Sequence, residues 1–168
     1  NFSTVNGKMM YSRIIGTGSY LPSRIVSNEE IAPALGVSPA RIYRLTGIQT
    51  RHWAGDHEAS SDMAVEAGRR ALDAADCPPS SIDAIILSTT SPDMAFPSTA
   101  CLVQRGLGCR PVGAFDVSAS CSGFLYGLSM AQAMILSGQA KTCLVVASEV
   151  KTRSLDPQDD STALLLGD

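Results

Sequence analysis

The sequence predicts an α/β protein with a mostly parallel central sheet and helices on both faces. Short apolar runs alternate with segments of helical periodicity over most of the 168 residues. Several runs are apolar almost throughout, as in Ile82 to Thr90, which is typical of parallel strands buried on both sides. Hydrophobic residues make up 45% and charged residues 17% of the chain, so it can bury one sizeable core.

The first predicted elements are short and carry clear end signals. Ser12 to Leu21 is predicted as a β segment that contains Gly16 and Gly18. Capping residues at Ser27-Asn28-Glu29-Glu30 open a short helix that Gly36 ends. Ser38-Pro39 opens a second helix, which runs to about Thr46 because proline suits the first helical position.

Longer helices and strands alternate regularly after this point. Ser60-Ser61-Asp62 caps a helix that Cys77-Pro78-Pro79 terminates. The remaining predicted elements are strand Ile82 to Thr90, helix Ser98 to Leu107, strand Val112 to Val117, helix Ser122 to Ser137 and strand Thr142 to Ser148. Right-handed crossovers between such strands place the helices on both faces of the sheet.

Both ends of the chain suggest domain boundaries. The N-terminus, NFSTVNGKMM, has no apolar core of a secretion signal, so we interpret residues 1–8 as a leader or an added tail and residues 9–168 as the folded part. At the other end, Ala163 to Leu166 is predicted as a buried strand that stops at Gly167-Asp168. A core strand rarely ends a chain, so we expect a truncated protein.

Composition argues against several classes of function. Thirteen basic and sixteen acidic residues give a net charge of −3 with no basic block, which disfavours nucleic acid as a partner. The five cysteines are scattered without a C-x-x-C pair, so neither a disulfide framework nor a metal site is predicted, and a reducing cytoplasm fits best. Val117 to Ala140 is long enough to span a membrane, but its serines, its glycines and Gln132 favour a buried core helix, so no membrane partner is expected.

The most informative segment is FDVSASCSGF, Phe115 to Phe124, in which Cys121 lies between a strand and a helix. The free N–H groups and the positive end of a helix favour a thiolate over a thiol, so Cys121 is a candidate nucleophile. The alternative is a small buried cysteine with a structural role. Gly123 and Gly127 leave room either for close packing or for the approach of a substrate.

These residues resemble the β-ketoacyl-acyl carrier protein synthase III family of thiolase-like condensing enzymes. The resemblance covers nearly the whole chain from Met9, in the family's order. Its motifs are RIIGTGSYLP, TGI, RHWA, AFPSTACLVQ, the cysteine segment and LDPQDDSTALLLGD. It implies a thiolase-like fold of two pseudo-equivalent halves, of which this chain is the first, and a catalytic role for Cys121.

The resemblance also implies a ping-pong reaction without a bound cofactor. Cys121 would take an acyl group from a thioester of coenzyme A or acyl carrier protein, and malonyl-acyl carrier protein would then condense with it by decarboxylation. Fatty acid or polyketide chains would begin in this way. The family's assisting His and Asn belong to the second half, whereas His52 and His57 do not match that position and are expected to be surface or structural residues.

The family pattern adds substrate-binding candidates. Thr90 and Leu166 would line the acyl pocket, and Phe96 would reach across a homodimer interface into the partner's pocket unless it is an ordinary core aromatic. The missing half or another chain would complete the fold. Arg51 matches a position near the pantetheine entrance, although an Arg in such a loop is more often just solvated.

The coenzyme A mouth departs from the family pattern. Arg41 stands in place of a stacking Trp, Leu45 in place of an Arg, and Asp160 in place of another Arg. The loss of a stack and two charges predicts weaker coenzyme A binding, with an acyl carrier protein as the better donor unless Arg41, Arg44 and Lys151 compensate. The alternative function is a non-condensing partner of the same fold, or an acyltransferase to an alcohol or amine.

Overall fold

The computed structural model describes the backbone of residues 4–5 and 8–9, and residues 11–156, 159 and 162–168. The elements in chain order are β1 (Thr4–Val5), β2 (Lys8–Met9), β3 (Arg24–Ser27), α1 (Asn28–Leu35), α2 (Pro39–Thr46), β4 (Thr50–Trp53), α3 (Ser60–Ala74), β5 (Ala84–Ser88), α4 (Thr99–Leu107), β6 (Gly113–Val117), α5 (Gly123–Leu136) and β7 (Cys143–Ala147). Two compact units result, one from Asn1–Tyr20 with Ser60–Ser148 and the other from Leu21–Ala59 with Glu149–Asp168.

The first unit is built on a three-stranded parallel sheet in the order β6-β5-β7. All five residues of the central strand β5 are buried. Ile85 and Leu87 face the core formed with α3 and α4, whereas Ile86 faces α5 on the opposite side. Because successive side chains of a strand alternate between faces, this sheet is covered by helices on both faces, as predicted.

The core of the first unit lies between the sheet and the helices α3 and α4. Its buried members are Ala64, Leu72, Ile82, Ile85, Leu87, Ala100, Val103, Leu107, Leu144 and Val146. Each fully buried aliphatic side chain stabilises the fold by about 1.5–3 kcal/mol relative to an exposed one. The predicted strands and helices of this region are confirmed, with bounds that differ by a few residues at the ends.

Two carboxylates from neighbouring segments cap the helices that cover this face. Asp93 accepts hydrogen bonds from Ser61 N at 2.9 Å and Ser61 Oγ at 2.6 Å at the start of α3. Asp116 on β6 accepts from Thr99 N at 2.7 Å and Ala100 N at 2.8 Å at the start of α4. Because free N–H groups at a helix start favour an anion, both caps fix a helix against the sheet edge.

The second unit combines the antiparallel pair β3–β4 with α1 and α2. Its core consists of Val26, Ile31, Ala32, Ile42 and Leu164. The predicted end of α1 at Gly36 is confirmed, since Gly36 takes the left-handed conformation with φ of 63°. The second helix ends at Thr46, as predicted, and Gly47 follows it with φ of 73°. Ser38 Oγ accepts a hydrogen bond from Arg41 N at 3.2 Å, as expected of a helix cap.

The predicted strand from Ser12 to Leu21 is wrong, since these residues form no strand. Gly16 and Gly18 of this segment pack against α3 instead. A Cβ built at Gly16 would lie 2.4 Å from Ala71 O, and one at Gly18 would lie 2.3 Å from Ala67 O. This close approach to a helix backbone takes the place of pairing with a sheet edge.

The predicted strand from Ala163 to Leu166 is also wrong, because this run forms a helical turn. Ala163 N donates to Asp159 O at 3.1 Å, and Leu165 N donates to Thr162 O at 3.0 Å. Leu164 is buried, whereas Leu165 is 51% exposed. Local hydrogen bonds therefore satisfy the amides that a strand would offer to a neighbour.

The helix α5 is buried on one face only, so the predicted buried core helix is confirmed only in part. Its buried residues are Gly123, Gly127 and Ala131, which recur every four residues and face the sheet. Exposed apolar side chains include Phe124, Leu125, Tyr126 and Met130. Across the part of the chain that the structure describes, no helix has the length and apolar character needed to cross a bilayer.

Candidate active site

Cys121 lies in a short turn that joins β6 to α5. A 3-10 turn of Ser120–Ser122 follows the strand, and α5 begins at Gly123. Ser120 takes a positive φ of 49°, which turns the chain sharply just before the cysteine. Cys121 is exposed, whereas the other four cysteines are partly buried. The buried position in the alternative is therefore wrong, and the role of Cys121 stays a prediction.

The segments after β5 and β6 bring Thr90 to the same edge of the sheet as Cys121. Ser88 and Val117 are paired in the parallel ladder, and Thr89 N donates to Val117 O at 3.3 Å just beyond it. Parallel strands end at one edge of their sheet, where sites commonly lie. Thr90 and Cys121 therefore lie at the same edge of the sheet, as two residues that contact one substrate must.

The start of α5 rests directly on the sheet through its glycines. A Cβ built at Gly123 would lie 2.0 Å from Ser88 Oγ, and one at Gly127 would lie 2.8 Å from Val145 Cγ1. Both glycines therefore serve close packing, which was one of the two roles open from the sequence. Sequence reasoning missed Ser88, although a serine that ends an otherwise apolar strand is a detectable signal.

Burial distinguishes other cysteines from Cys121. Desolvation raises the pKa of the Cys143 thiol above its ordinary value, and the negative charge of Asp83 raises it further. Burial also raises the pKa of the Cys109 thiol, with a smaller contribution from Cys77. A raised pKa leaves less thiolate at neutral pH, so these two sulfurs are weaker nucleophiles than an ordinary cysteine.

Phe96 projects from the connection between β5 and α4. Its side chain is 87% exposed, so the alternative of an ordinary core aromatic is wrong. The proposed reach of Phe96 into a partner's pocket stays a prediction.

A cavity of about 790 Å³ lies elsewhere in the first unit. Its walls come from residues 12–18, α3, α5 and β7, and Cys121 is not among the lining residues. No cluster of three or more metal-ligating side chains occurs within the described residues.

In the second unit, Arg51 has structural partners. Its side chain is buried at 5% exposure, and its Nη2 donates to Asn28 Oδ1 at 2.9 Å and to Leu164 O at 3.2 Å. Burial lowers the pKa of the guanidinium. The expectation of a solvated side chain is wrong, and contact with a substrate stays a prediction. Leu166, which is partly buried, lies two residues after Leu164, whose carbonyl oxygen accepts this hydrogen bond.

The two histidines and the residues of the predicted coenzyme A mouth also belong to the second unit. His52 Nδ1 lies 2.5 Å from Pro22 O, whereas His57 is exposed. Arg41 is exposed on α2, and Leu45 is 61% exposed. Asp160 lies outside the described residues.

Comparison with known proteins agrees with this architecture. The family model of 3-oxoacyl-[acyl-carrier-protein (ACP)] synthase III matches residues 115–168. The beta-ketoacyl-[acyl-carrier-protein] synthase III of Methylococcus capsulatus is 51% identical over 158 residues, which are 94% of this chain and 49% of the relative. The corresponding protein of Xanthomonas oryzae pv. oryzae is 48% identical over 161 residues, which are 96% of this chain and 50% of the relative.

Solved structures show the same fold. The 3-oxoacyl-[acyl-carrier-protein] synthase III of Aquifex aeolicus superposes with a TM-score of 0.89 at 44% identity, over 92% of this chain and 50% of the relative. The priming beta-ketosynthase of the R1128 polyketide biosynthetic pathway gives 0.90 at 38% identity, over 93% of this chain and 47% of the relative.

The fold, with a cysteine at the start of the helix after β6, defines one half of a thiolase-like protein. The chain belongs to the 3-oxoacyl-[acyl-carrier-protein] synthase III family and matches its N-terminal half. It spans about half the length of the curated relatives that it matches.

Proposed function

We propose that this chain carries the nucleophile of a condensing enzyme that starts fatty acid or polyketide chains. Cys121 Sγ attacks the carbonyl of an acyl thioester and forms an acyl-enzyme, and the thiol of the donor leaves. Malonyl-acyl carrier protein then loses carbon dioxide, and the resulting carbanion attacks the acyl carbonyl. Cys121 is released as a thiolate, which is a good leaving group.

The position of Cys121 is the observation that carries this proposal. It is the exposed cysteine among five, and it precedes a 14-residue helix at the edge where the parallel strands end. Developing negative charge at such a helix start is favoured by the free N–H groups and the dipole. Family membership supplies the reaction class.

Thr90, Leu166, Phe96 and Arg51 remain proposed substrate-binding residues. The proposed partners are acyl carrier protein and a second protein chain, in a cytoplasmic homodimer. An apolar face on α5 is available for such a contact, since Leu125 is 65% and Tyr126 is 54% exposed.

Intact-mass analysis tests the first step on the 168-residue chain. Incubation with acetyl, butyryl and octanoyl thioesters of coenzyme A and of acyl carrier protein is expected to add one acyl group, removable by neutral hydroxylamine. Cys121→Ala abolishes the addition, whereas Cys143→Ala, a matched change at a partly buried thiol, preserves it. Acylation that persists in Cys121→Ala contradicts the proposal.

A second step separates condensation from other acyl transfer. The acylated chain is offered malonyl-acyl carrier protein, an alcohol or an amine, alone and in any longer protein that contains it. Condensation requires the 3-oxoacyl product in the longer protein. Transfer to the alcohol or amine without that product contradicts the proposed reaction and identifies an acyltransferase instead.

A further inference from the structure

The end of β5 and the first turn of α5 are in close contact just after Cys121. Ser88 ends β5 and is 4% exposed, and the ladders to β6 and β7 hold its backbone from both sides. A Cβ built at Gly123 would lie 2.0 Å from Ser88 Oγ and 3.0 Å from Ser88 Cβ. The backbone of Gly123, two residues after Cys121, therefore rests on the Ser88 side chain.

We propose that Ser88 is a positioning residue for Cys121 and that its contact with Gly123 sets the height of the first helical turn above the sheet. This inference rests on the proposed function, in which Cys121 is the nucleophile. It goes beyond that function by assigning a role to a buried residue of the neighbouring strand.

The strand is the rigid side of this contact. Ser88 belongs to the central strand of a three-stranded ladder, and Ser148 N donates to its carbonyl oxygen at 3.1 Å. The turn before α5 is exposed to solvent at Ser120, Cys121 and Ser122, so it has room to move away from the sheet. A clash at this contact is therefore relieved by movement of the turn, because interiors are close-packed and resist displacement.

The size of the clash predicts a substantial movement. Ordinary van der Waals contact begins at 3.4 Å, so a methyl group at position 123 is about 1.4 Å too close to Ser88 Oγ. Rotation of the hydroxyl lowers this overlap but leaves about 0.4 Å, because Ser88 Cβ is fixed by the backbone and lies 3.0 Å away, inside the 3.4 Å at which ordinary contact begins. The expected movement therefore lies between about 0.4 and 1.4 Å, and a misplacement of about 1 Å at a reacting atom slows a reaction by about 100-fold.

The test compares Gly123→Ala with the double variant Ser88→Gly/Gly123→Ala in the 168-residue chain. Gly123→Ala is expected to slow acylation of Cys121 by about ten- to 100-fold. Iodoacetamide alkylation of Cys121 is expected to fall by about three-fold, because the sulfur shifts relative to the helix start. The double variant restores both rates to within about two-fold of the parent, since the added methyl group occupies the vacated space.

Gly127→Ala is the matched control. It lies one turn later on the same face, where an added Cβ would be 2.8 Å from Val145 Cγ1 and 3.5 Å from Ile86 Cγ2. It is expected to lower the melting temperature while leaving the alkylation rate of Cys121 within about two-fold of the parent, because its clash involves a side-chain tip farther from the turn.

Three results overturn the inference. They are parent-like rates in Gly123→Ala, a double variant as slow as Gly123→Ala, and equal slowing by Gly127→Ala. If Gly123→Ala does not fold, Ser88→Thr adds a methyl group to the same contact, and parent-like rates in that folded variant are equally decisive. Failure of every thioester to acylate the parent contradicts the proposed function, while the alkylation rates still decide the role of Ser88.

Discussion

Replacement of Asp83 by Asn is expected to destabilise the first unit in a pH-dependent way. Asp83 precedes β5, and its Oδ2 accepts hydrogen bonds from Lys141 N at 2.7 Å and Thr142 N at 3.1 Å at the entry to β7. Its Oδ1 also pairs with Arg110. One carboxylate thus joins the beginnings of two neighbouring parallel strands.

Hydrogen bonds set the magnitude of this effect. A hydrogen bond to a charged group contributes about 1.5–3 kcal/mol, and the amide oxygen of Asn retains part of that contribution. We therefore expect Asp83→Asn to lower the free energy of unfolding by about 1–2 kcal/mol at pH 7. The corresponding loss in melting temperature is about 3–6 °C for a chain of this size.

The pKa of Asp83 determines the pH window. Hydrogen bonds from the backbone of Lys141 and then Thr142 lower the pKa of this carboxyl in the folded state, and the charge of Arg110 lowers it further. In acid the unfolded chain binds the proton more readily, so stability rises with pH there. The contribution of Asp83 is complete above the unfolded pKa of about 3.9 and is lost as the pH falls through the lower folded value.

Urea unfolding followed by circular dichroism between pH 7 and pH 2 measures this difference. The parent and Asp83→Asn are expected to differ most at neutral pH and to converge in acid. Asp56→Asn, a change at an exposed loop carboxylate, serves as the control and is expected to show no such convergence. A difference between parent and Asp83→Asn that is absent at pH 7, or constant down to pH 2, refutes the reasoning.

Three further predictions concern the chemistry. Limited alkylation at pH 7 with peptide mapping is expected to label Cys121 first, because Cys121 is exposed while burial raises the pKa of Cys109 and Cys143. Preferential labelling of Cys77 or Cys109 contradicts this expectation. The 168 residues alone are expected to release no 3-oxoacyl product from malonyl-acyl carrier protein. The family's assisting His and Asn belong to the second half, and the loss of each such hydrogen-bond donor costs about 3–4 kcal/mol in the transition state. Detection of that product by mass spectrometry would refute the prediction. In a longer active protein that contains the chain, Arg41→Trp with Leu45→Arg is expected to lower the KM for coenzyme A thioesters with little change in kcat. If the unaltered protein already uses acetyl-coenzyme A as well as acetyl-acyl carrier protein, the inference from Arg41, Leu45 and Asp160 is wrong.

Local signals predicted the elements whose ends are determined locally. Ser38-Pro39 opens α2 and Gly36 ends α1 as expected, because a cap and a left-handed glycine act within one turn of the chain. Strand β5 was also predictable, since five successive buried residues require burial on both faces.

The two wrong strands depended on information that local sequence does not carry. Ser12 to Leu21 and Ala163 to Leu166 are apolar enough for strands, but a strand also needs a neighbouring edge. Gly16 packs against α3, and the run at Leu164 satisfies its amides within a turn. Which partner an apolar segment finds is decided by packing across the fold rather than by its own pattern.

The candidate site was likewise predictable only in part. Cys121 was predictable because a strand-to-helix junction is visible in the sequence, and its exposure agrees with a reactive role. The contact of Ser88 with Gly123 joins residues 35 positions apart, and only the register of β5 beneath α5 reveals it. Arg51 matched a motif, yet its burial follows from Asn28 and Leu164, which are distant in sequence.

Localisation of the acyl group is the most direct test of the central claim. After incubation of the 168-residue chain with an acyl thioester, tandem mass spectrometry of its peptides identifies the modified atom. A hydroxylamine-sensitive acyl group is expected on Cys121 and on no other cysteine. An acyl group on another cysteine or on a serine hydroxyl, with Cys121 unmodified, contradicts it.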